Sequence, residues 1–331
     1  MGAGQSWAAI RCLKDEKSFG WGEKTGLPLM AYFVTPDRDS IRFCIIGGDG
    51  VLGSALVHDL RRSGVDVICS TRKKPIDAQR AFYLDLADPR LPSLPKIDVV
   101  ILAAAVSRPA DCRSDPGNTW RINVEAQASI GEQALARGAF VIFPSSTLVF
   151  DGSRALPNPE DPRSPCTEYG KQKAAAESAL LRHGDGVAVV RLGKVISRHS
   201  SLFENWRRDL LQGQPVYAFD DLVMAPIAIG KTVAGIETLG RKRASGIWHL
   251  CGREDISYFE AAEHLACRLK ARASLVRRAS AAEAGIPVEE RPPHSALAIG
   301  GSEEVAGVKI ADPRAEIDEG LELISAFEPT T

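Results

Sequence analysis

The sequence has no apolar run approaching the ~20 residues of a membrane span, no excess of charge of either sign, and no Cys-x-x-Cys pair. Each absence removes a class of function. Without a spanning run, nothing predicts passage through a membrane. With 41 Lys and Arg against 42 Asp and Glu, nothing global favours nucleic acid or an anionic lipid surface. Seven scattered cysteines, among them Cys44 and Cys69 inside strand-like apolar runs, read as reduced thiols of a cytoplasmic protein. A disulfide scaffold or a metal site is not expected. There are no repeats and no low-complexity tract. Residues 1–40 lack sustained periodicity and the basic, apolar, small-residue order of a signal peptide. They are expected to form a loosely attached extension, with Met30 an alternative start. The opening Met1-Gly2-Ala3-Gly4-Gln5-Ser6 fits the short myristoylation pattern, but no polybasic stretch or second anchor supports it.

What is present begins at Ile41. The run Ile41 to Ile46 is apolar and β-prone, Gly47, Gly50 and Gly53 follow, and Leu56 and Leu60 then recur at helical spacing. That is strand, tight turn, helix. Gly47 and Gly50 let the backbone approach a pyrophosphate, Gly53 lets the helix pack on the strand, and the helix start at Val51 and Leu52 offers unpaired N–H groups. Glycines also collect in ordinary turns, so the flanking strand and helix carry the reading.

A second strand, Val65 to Ser70, ends in Thr71-Arg72-Lys73. Where a carboxylate would read the ribose hydroxyls of NAD, a hydroxyl and a guanidinium suit a 2′-phosphate, which favours NADP(H) over NAD(H). The alternative is a solvated basic turn. Ala81 to Leu86 reads as a third strand, with Asp85 placed to face the adenine and Leu86 beside it. Ile97 to Leu102 is a buried strand whose end, Ala103-Ala104-Ala105, permits close approach by a cofactor, although small residues also simply pack. A helix over about 118–137, ended by Gly138, leads to the buried strand Phe140 to Pro144. Strands alternating with helices at this spacing predict an α/β fold with a Rossmann-type doubly wound parallel sheet.

Ser145-Ser146-Thr147 lies at the carboxyl end of that strand, where open α/β sheets place their chemistry. After a proline-rich loop, Tyr169 and Lys173 stand four apart on an alanine-rich helix and share one face. A phenol near pKa ~10 is a poor acid at neutral pH, and a nearby ammonium would bring it toward working range. Ser146 would hold a carbonyl oxygen while Tyr169 exchanges the proton. Each piece alone is ordinary; their order along the chain is the signal.

Gly47, Gly50, Gly53, Ser146, Tyr169 and Lys173, with Asn123 in the intervening helix, resemble the extended short-chain dehydrogenase/reductase superfamily. Val149 to Gly152, Val189-Val190-Arg191, Gly246 to Leu250 with Ser257, and Arg291-Pro292 with Ser295 and Leu297 resemble its dTDP-4-dehydrorhamnose reductase-like branch. The resemblance covers about residues 41–313. It implies an NAD(P)-dependent oxidoreductase acting on a keto or hydroxyl group of a nucleotide-linked sugar. It also implies a small substrate lobe built from discontinuous pieces. The expected division is 41–192 for the dinucleotide, with 228–250 returning to it, and 193–227 with 251–331 for the substrate. Thr147, Arg207 and Arg291 are the residues expected toward the substrate, although the Arg207-Arg208 pair also reads as solvated. The branch's usual Asp-Tyr is Thr147-Leu148 here, and its Asp-Gln-x-x-x-Pro-Thr segment is Asp221 to Ile227 without the glutamine or threonine. Substrate identity therefore stays open, and a dehydratase, which needs carboxylates at Thr147-Leu148, is disfavoured. A non-catalytic regulatory subunit and a nucleotide-sugar epimerase are the alternatives, with a homodimer left open.

Overall fold

The computed structural model describes residues 41–75 and 77–323, so the expectations for residues 1–40 fall outside it. The chain opens with β1 (Arg42–Ile46), α1 (Val51–Arg62), β2 (Asp66–Thr71), β3 (Ala81–Tyr83) and β4 (Val99–Leu102). The short helices α2 (Pro109–Ser114) and α3 (Pro116–Trp120) run through one π-helical turn, Arg121–Glu125, into α4 (Ala126–Ala136). Then come β5 (Phe140–Ser146), α5 (Glu168–Leu181) and β6 (Val187–Leu192). These strands, joined later by β11 (Gly246–Leu250), form one sheet in the order β11-β6-β5-β4-β1-β2-β3, and every pair in it is parallel.

Side chains alternate between the two faces of the sheet. Phe43 and Ile45 of β1 face a core shared with Leu56 and Leu60 of α1, while Cys44 and Ile46 face a second core with Ile130 of α4 and Leu180 of α5. A strand covered on both faces must be apolar throughout, which is why Val99–Leu102 and Val187–Val190 contain no polar residue. Gly131 lets α4 and α5 meet, since a Cβ there would lie 2.4 Å from Leu180.

The strand order reverses between β1 and β4, and in open α/β sheets that switch point, at the carboxyl ends, is where ligands bind. The expected third strand is shorter than its sequence run. It stops at Tyr83 because Asp85 closes a turn, accepting from the backbone N–H of Ala87. The predicted helix over 118–137 is continuous in path but carries the π turn, a feature residue periodicity does not reveal.

Beyond β6 the chain alternates between two layers. It continues through β7 (Lys194–Ile196), α6 (Ser201–Leu211), β8 (Val216–Phe219), β9 (Val223–Met224), β10 (Pro226–Ala228) and α7 (Ile229–Lys242). The remaining elements are β11 (Gly246–Leu250), β12 (Ile256–Ser257), α8 (Tyr258–Arg268), β13 (Val276–Ala279), α9 (Ser302–Ala306) and α10 (Pro313–Gly320). Helix α7 packs Val233, Ile236 and Leu239 into the α1-side core, and β11 pairs with β6 at the edge of the main sheet. A separate core gathers Phe203 and Trp206 of α6, Val216 and Ala218 of β8, Phe259 and Leu265 of α8, and Ile317 of α10. Helix α8 starts in a capping box between Ser257 and Glu260, which satisfies backbone groups at its first turn. Among the described residues no helix is long and apolar enough to cross a membrane.

Candidate active site

The glycine turn is fitted against its neighbours. Gly47 takes φ +94°, and a Cβ there would lie 2.7 Å from Ala104. A Cβ on Gly53 would lie 2.0 Å from the Gly47 carbonyl oxygen. Those clashes explain why no side chain stands at either position. Ser70 stitches the turn to β2, its hydroxyl accepting from Gly47 N at 2.8 Å and its carbonyl from Gly48 N at 3.0 Å. Gly50 caps α1 without a side chain, so the N–H groups around Val51 and Leu52 face the crevice with no competing cap. Ala103, Ala104 and Ala105 are partly open to solvent at the end of β4, beside Gly47. A backbone cradle that any Cβ would fill, an uncapped helix start and small residues opposite fit a dinucleotide pyrophosphate.

At the end of β5, the Ser146 hydroxyl caps the 3-10 turn Thr147–Val149 by accepting from Leu148 N at 3.2 Å. Thr167 caps α5, accepting from Gly170 N at 2.9 Å. Gly170 allows the first turn of α5 to press on that 3-10 turn, because a Cβ there would lie 2.1 Å from the Leu148 carbonyl oxygen. Tyr169 is thereby carried next to the segment that Ser146 caps. One turn on, Lys173 donates to the Pro144 carbonyl at 2.7 Å, with its ammonium 4.3 Å from the Phe143 ring and 5.8 Å from the Tyr169 ring. Asn123, in the π turn, holds Val106 through both backbone groups and donates to Gln172 of α5 at 2.7 Å. It thus ties the loop after β4 to the helix that carries Tyr169 and Lys173.

The electrostatics differ from the sequence expectation. Burial pushes the Tyr169 phenol up rather than down, with Cys112 adding to the effect. Burial also lowers Lys173 to about 8, against the opposing pull of Glu177. The low dielectric that would strengthen an ammonium–phenolate pair first penalises each charge separately.

Beneath the pair lies a buried polar network that the sequence reading did not assign. Glu177, fully buried, accepts from Ser145 Oγ at 2.5 Å, from Arg191 at 2.9 and 3.1 Å, and from Arg163 at 3.2 Å. Its spacing of four from Lys173 and eight from Tyr169 placed it on the same helix face, and that signal was available. Arg191 also donates to the Pro159 carbonyl and to His249 Nε2. His249 in turn donates from Nδ1 to the Ala298 carbonyl at 2.8 Å, so its buried ring is neutral. Burial lowers its pKa from 6.5 to about 4, and the facing Arg191 charge acts in the same direction. Unfolded chain takes up a proton near pH 6.5 that the native ring refuses until about pH 4. Stability should fall through that window by about 3 kcal/mol. Urea unfolding of His249→Gln and parent protein across it should show a flatter curve for the variant.

The other predicted site residues divide. Thr147 begins the 3-10 turn beside Ser146, and its carbonyl accepts from Phe150 N at 3.0 Å. Asp85 is exposed and engaged in its own turn, and Leu86 is half-buried against the core that holds Ile130 and Leu180. The Thr71 hydroxyl is already committed, donating to Asp49 at 2.8 Å and accepting from Lys73 N at 3.0 Å. Arg207 is exposed on α6. Arg291 donates to the Ile286 carbonyl and lies 3.8 Å from Asp221. Burial acts to raise that carboxyl, but the N–H groups of Ala281 and Ala282 and the Ser280 hydroxyl hold it down to about 2. Asp221 therefore ties Arg291 into its own lobe.

Residues 41–325 match the family model described as the RmlD substrate binding domain. The chain belongs to that family. Methionine adenosyltransferase 2 subunit beta of Rattus norvegicus is 34% identical to this RmlD-family chain over 155 residues, 46% of each protein, so the match spans about half the length of that relative. A dTDP-4-dehydrorhamnose reductase of Sinorhizobium fredii is 25% identical over 228 residues, 64% of this chain and 76% of the relative. Among solved structures, a Bacillus anthracis dTDP-4-dehydrorhamnose reductase in complex with NADP superposes with a TM-score of 0.74 at 18% identity, covering 88% of this chain and all of that one. MoeE5 in complex with UDP-glucose and NAD gives 0.70 at 21% identity, covering 86% and 99%. At those identities the structural likeness shows the shared RmlD-type fold.

Proposed function

We propose that this protein is an NAD(P)(H)-dependent oxidoreductase that interconverts a keto and a hydroxyl group on a nucleotide-linked sugar. One observation carries the reading. Tyr169 and Lys173, on one buried helix face, are pressed by Gly170 against the turn capped by Ser146, in a sheet whose glycine turn is shaped for a dinucleotide. The reductase relative and the UDP-sugar complex of a fold neighbour support the substrate class.

In this reading residues 41–192 with 228–250 hold the dinucleotide, and 193–227 with 251–323 close over the sugar. Gly47, Gly50 and Gly53 and the start of α1 hold the pyrophosphate. Bound nicotinamide supplies or accepts the hydride. Ser146 donates to the carbonyl oxygen and orients it. Tyr169 delivers the phenolic proton to that oxygen as charge builds on it, so a phenol held protonated by burial suits the reducing direction. Lys173, cationic below about pH 8, stabilises the phenolate left behind and can reach a nicotinamide ribose.

For the cofactor, the exposed Arg72 side chain at the end of β2 supports NADP(H). Arg72→Ala should weaken NADPH binding by about 1.5–3 kcal/mol, the range for hydrogen bonds to charged groups, and leave NADH nearly unaffected. Calorimetric titration with both cofactors checks this; equal losses would remove Arg72 from phosphate recognition.

The likeness to an adenosyltransferase subunit favours a second reading, a dinucleotide-binding partner subunit without turnover. Nucleotide 4-keto sugars incubated with the protein and NADPH separate the two. Falling NADPH absorbance with formation of the reduced sugar supports the enzyme; tight NADPH binding with no consumption across the panel supports the subunit. A changed sugar with no net NADPH loss points to an epimerase.

A further inference from the structure

The third residue of the glycine turn is charged. Asp49 Oδ2 accepts from Thr71 Oγ1 at 2.8 Å and from Arg72 N at 3.2 Å. Together with the Ser70 contacts to Gly47 and Gly48, these bonds seat the turn on the end of β2. The junction between those two segments is where a dinucleotide fold meets the adenosine ribose. The carboxylate that reads this ribose is ordinarily looked for at the end of the second strand. Here Thr71-Arg72-Lys73 occupies that end. A carboxylate nevertheless reaches the same place from the neighbouring turn.

Two consequences follow from the geometry. The Thr71 hydroxyl and the Arg72 N–H, the neutral donors at that corner, are spent on Asp49, and the Thr71 oxygen also accepts from Lys73 N. They have nothing left to give a phosphate. Asp49 Oδ1 makes no hydrogen bond among the described residues and Asp49 is exposed, so an acceptor stands open to ribose hydroxyls. A 2′-phosphate dianion would meet that negative charge at close range, while the Arg72 guanidinium draws it in.

We propose that Asp49 is the specificity-determining residue of the cofactor site, accepting from the adenosine 2′-hydroxyl and setting the NADH-to-NADPH preference against the pull of Arg72. This rests on the dinucleotide-binding reading above. Arg72 and Asp49 act in opposite senses on one phosphate, so Asp49 narrows the preference for NADP(H) that Arg72 supports.

Asp49→Asn tests it. The amide oxygen still accepts from Thr71 and Arg72 N, so the turn is retained and only the charge is lost. Asp49→Ser serves as a second, smaller neutral variant. NADH, NADPH, and the half-cofactors 5′-AMP and 2′,5′-ADP are titrated calorimetrically against parent and variants, with melting temperatures measured alongside. The expected result is a shift of roughly tenfold, about 1.4 kcal/mol, in the NADPH-to-NADH affinity ratio toward NADPH, with the same shift between the half-cofactors. The shift should shrink as salt is raised, because the site is exposed. An unchanged ratio in folded variants that bind both cofactors would overturn the role of Asp49 and leave the dinucleotide reading intact. Failure of the parent protein to bind any of the four probes would overturn both.

Discussion

Replacing Tyr169 with phenylalanine is expected to cut turnover of a nucleotide 4-keto sugar by about 10²–10⁴, the usual worth of a positioned general acid. The ring keeps its place in the wall between α5 and the Ser146 turn, so packing and dinucleotide affinity should be nearly unchanged. The phenol lies almost wholly buried, and no hydrogen bond from its hydroxyl to another described residue supports the fold. Loss of the hydroxyl thus removes the transferable proton and little else. The measurement is kcat for parent and variant under saturating cofactor, with the melting temperature and NADPH affinity as controls. A folded, cofactor-binding Tyr169→Phe protein turning over at the parent rate would rule out the phenol as proton donor.

Glu177→Gln should produce the largest loss of stability, about 3–5 kcal/mol, the cost of breaking a buried ion pair from one side. Arg191 is 1% exposed, and its other partners, the Pro159 carbonyl, the neutral ring of His249 and the face of the Phe150 ring, carry no charge. With the carboxylate gone, its charge has no counterion in a site water cannot reach. The near-isosteric amide keeps volume constant, so the change reads charge rather than a cavity. Urea unfolding monitored by fluorescence gives the difference. A second variant, Glu177→Leu with Arg191→Met, should recover much of it, because removing both charges also removes their desolvation cost. Parent-like stability in Glu177→Gln would mean that Arg163 and Arg191 are not held by this carboxylate.

The alternation of β1, α1 and β2 was legible because strand and helix write different periods into the same core, as Leu56 and Leu60 against Phe43 and Ile45 show. The shared face of Tyr169 and Lys173 was legible for the same reason, since helical spacing fixes it locally. What joins distant segments was not. Glu177 and Arg191 sit on a helix and on the strand after it, and nothing in either local pattern announces a contact. The Thr71 hydroxyl looked free because its acceptor, Asp49, lies 22 residues earlier and arrives only through the shape of the glycine turn. Arg291 looked available to substrate until Asp221, from a different strand-end loop, came to face it. The raised phenol follows from burial, which a spacing of four between two residues cannot convey.

The π turn at Arg121–Glu125 gives the helix after β4 two rotational phases. An α-helix advances about 100° per residue, and one extra residue in a turn offsets everything downstream by that angle. Thr119 and Asn123, upstream and within the turn, point their polar groups at Gln172 of α5, while Ile130 and Ala134 downstream face the sheet. A uniform helix would have to choose between those registers. The insertion thus works as a phase adapter, letting a single stretch of chain obey the hydrogen-bonding geometry of the site at one end and close packing at the other. Deleting any one residue from it would straighten the backbone ladder and put those two halves out of step.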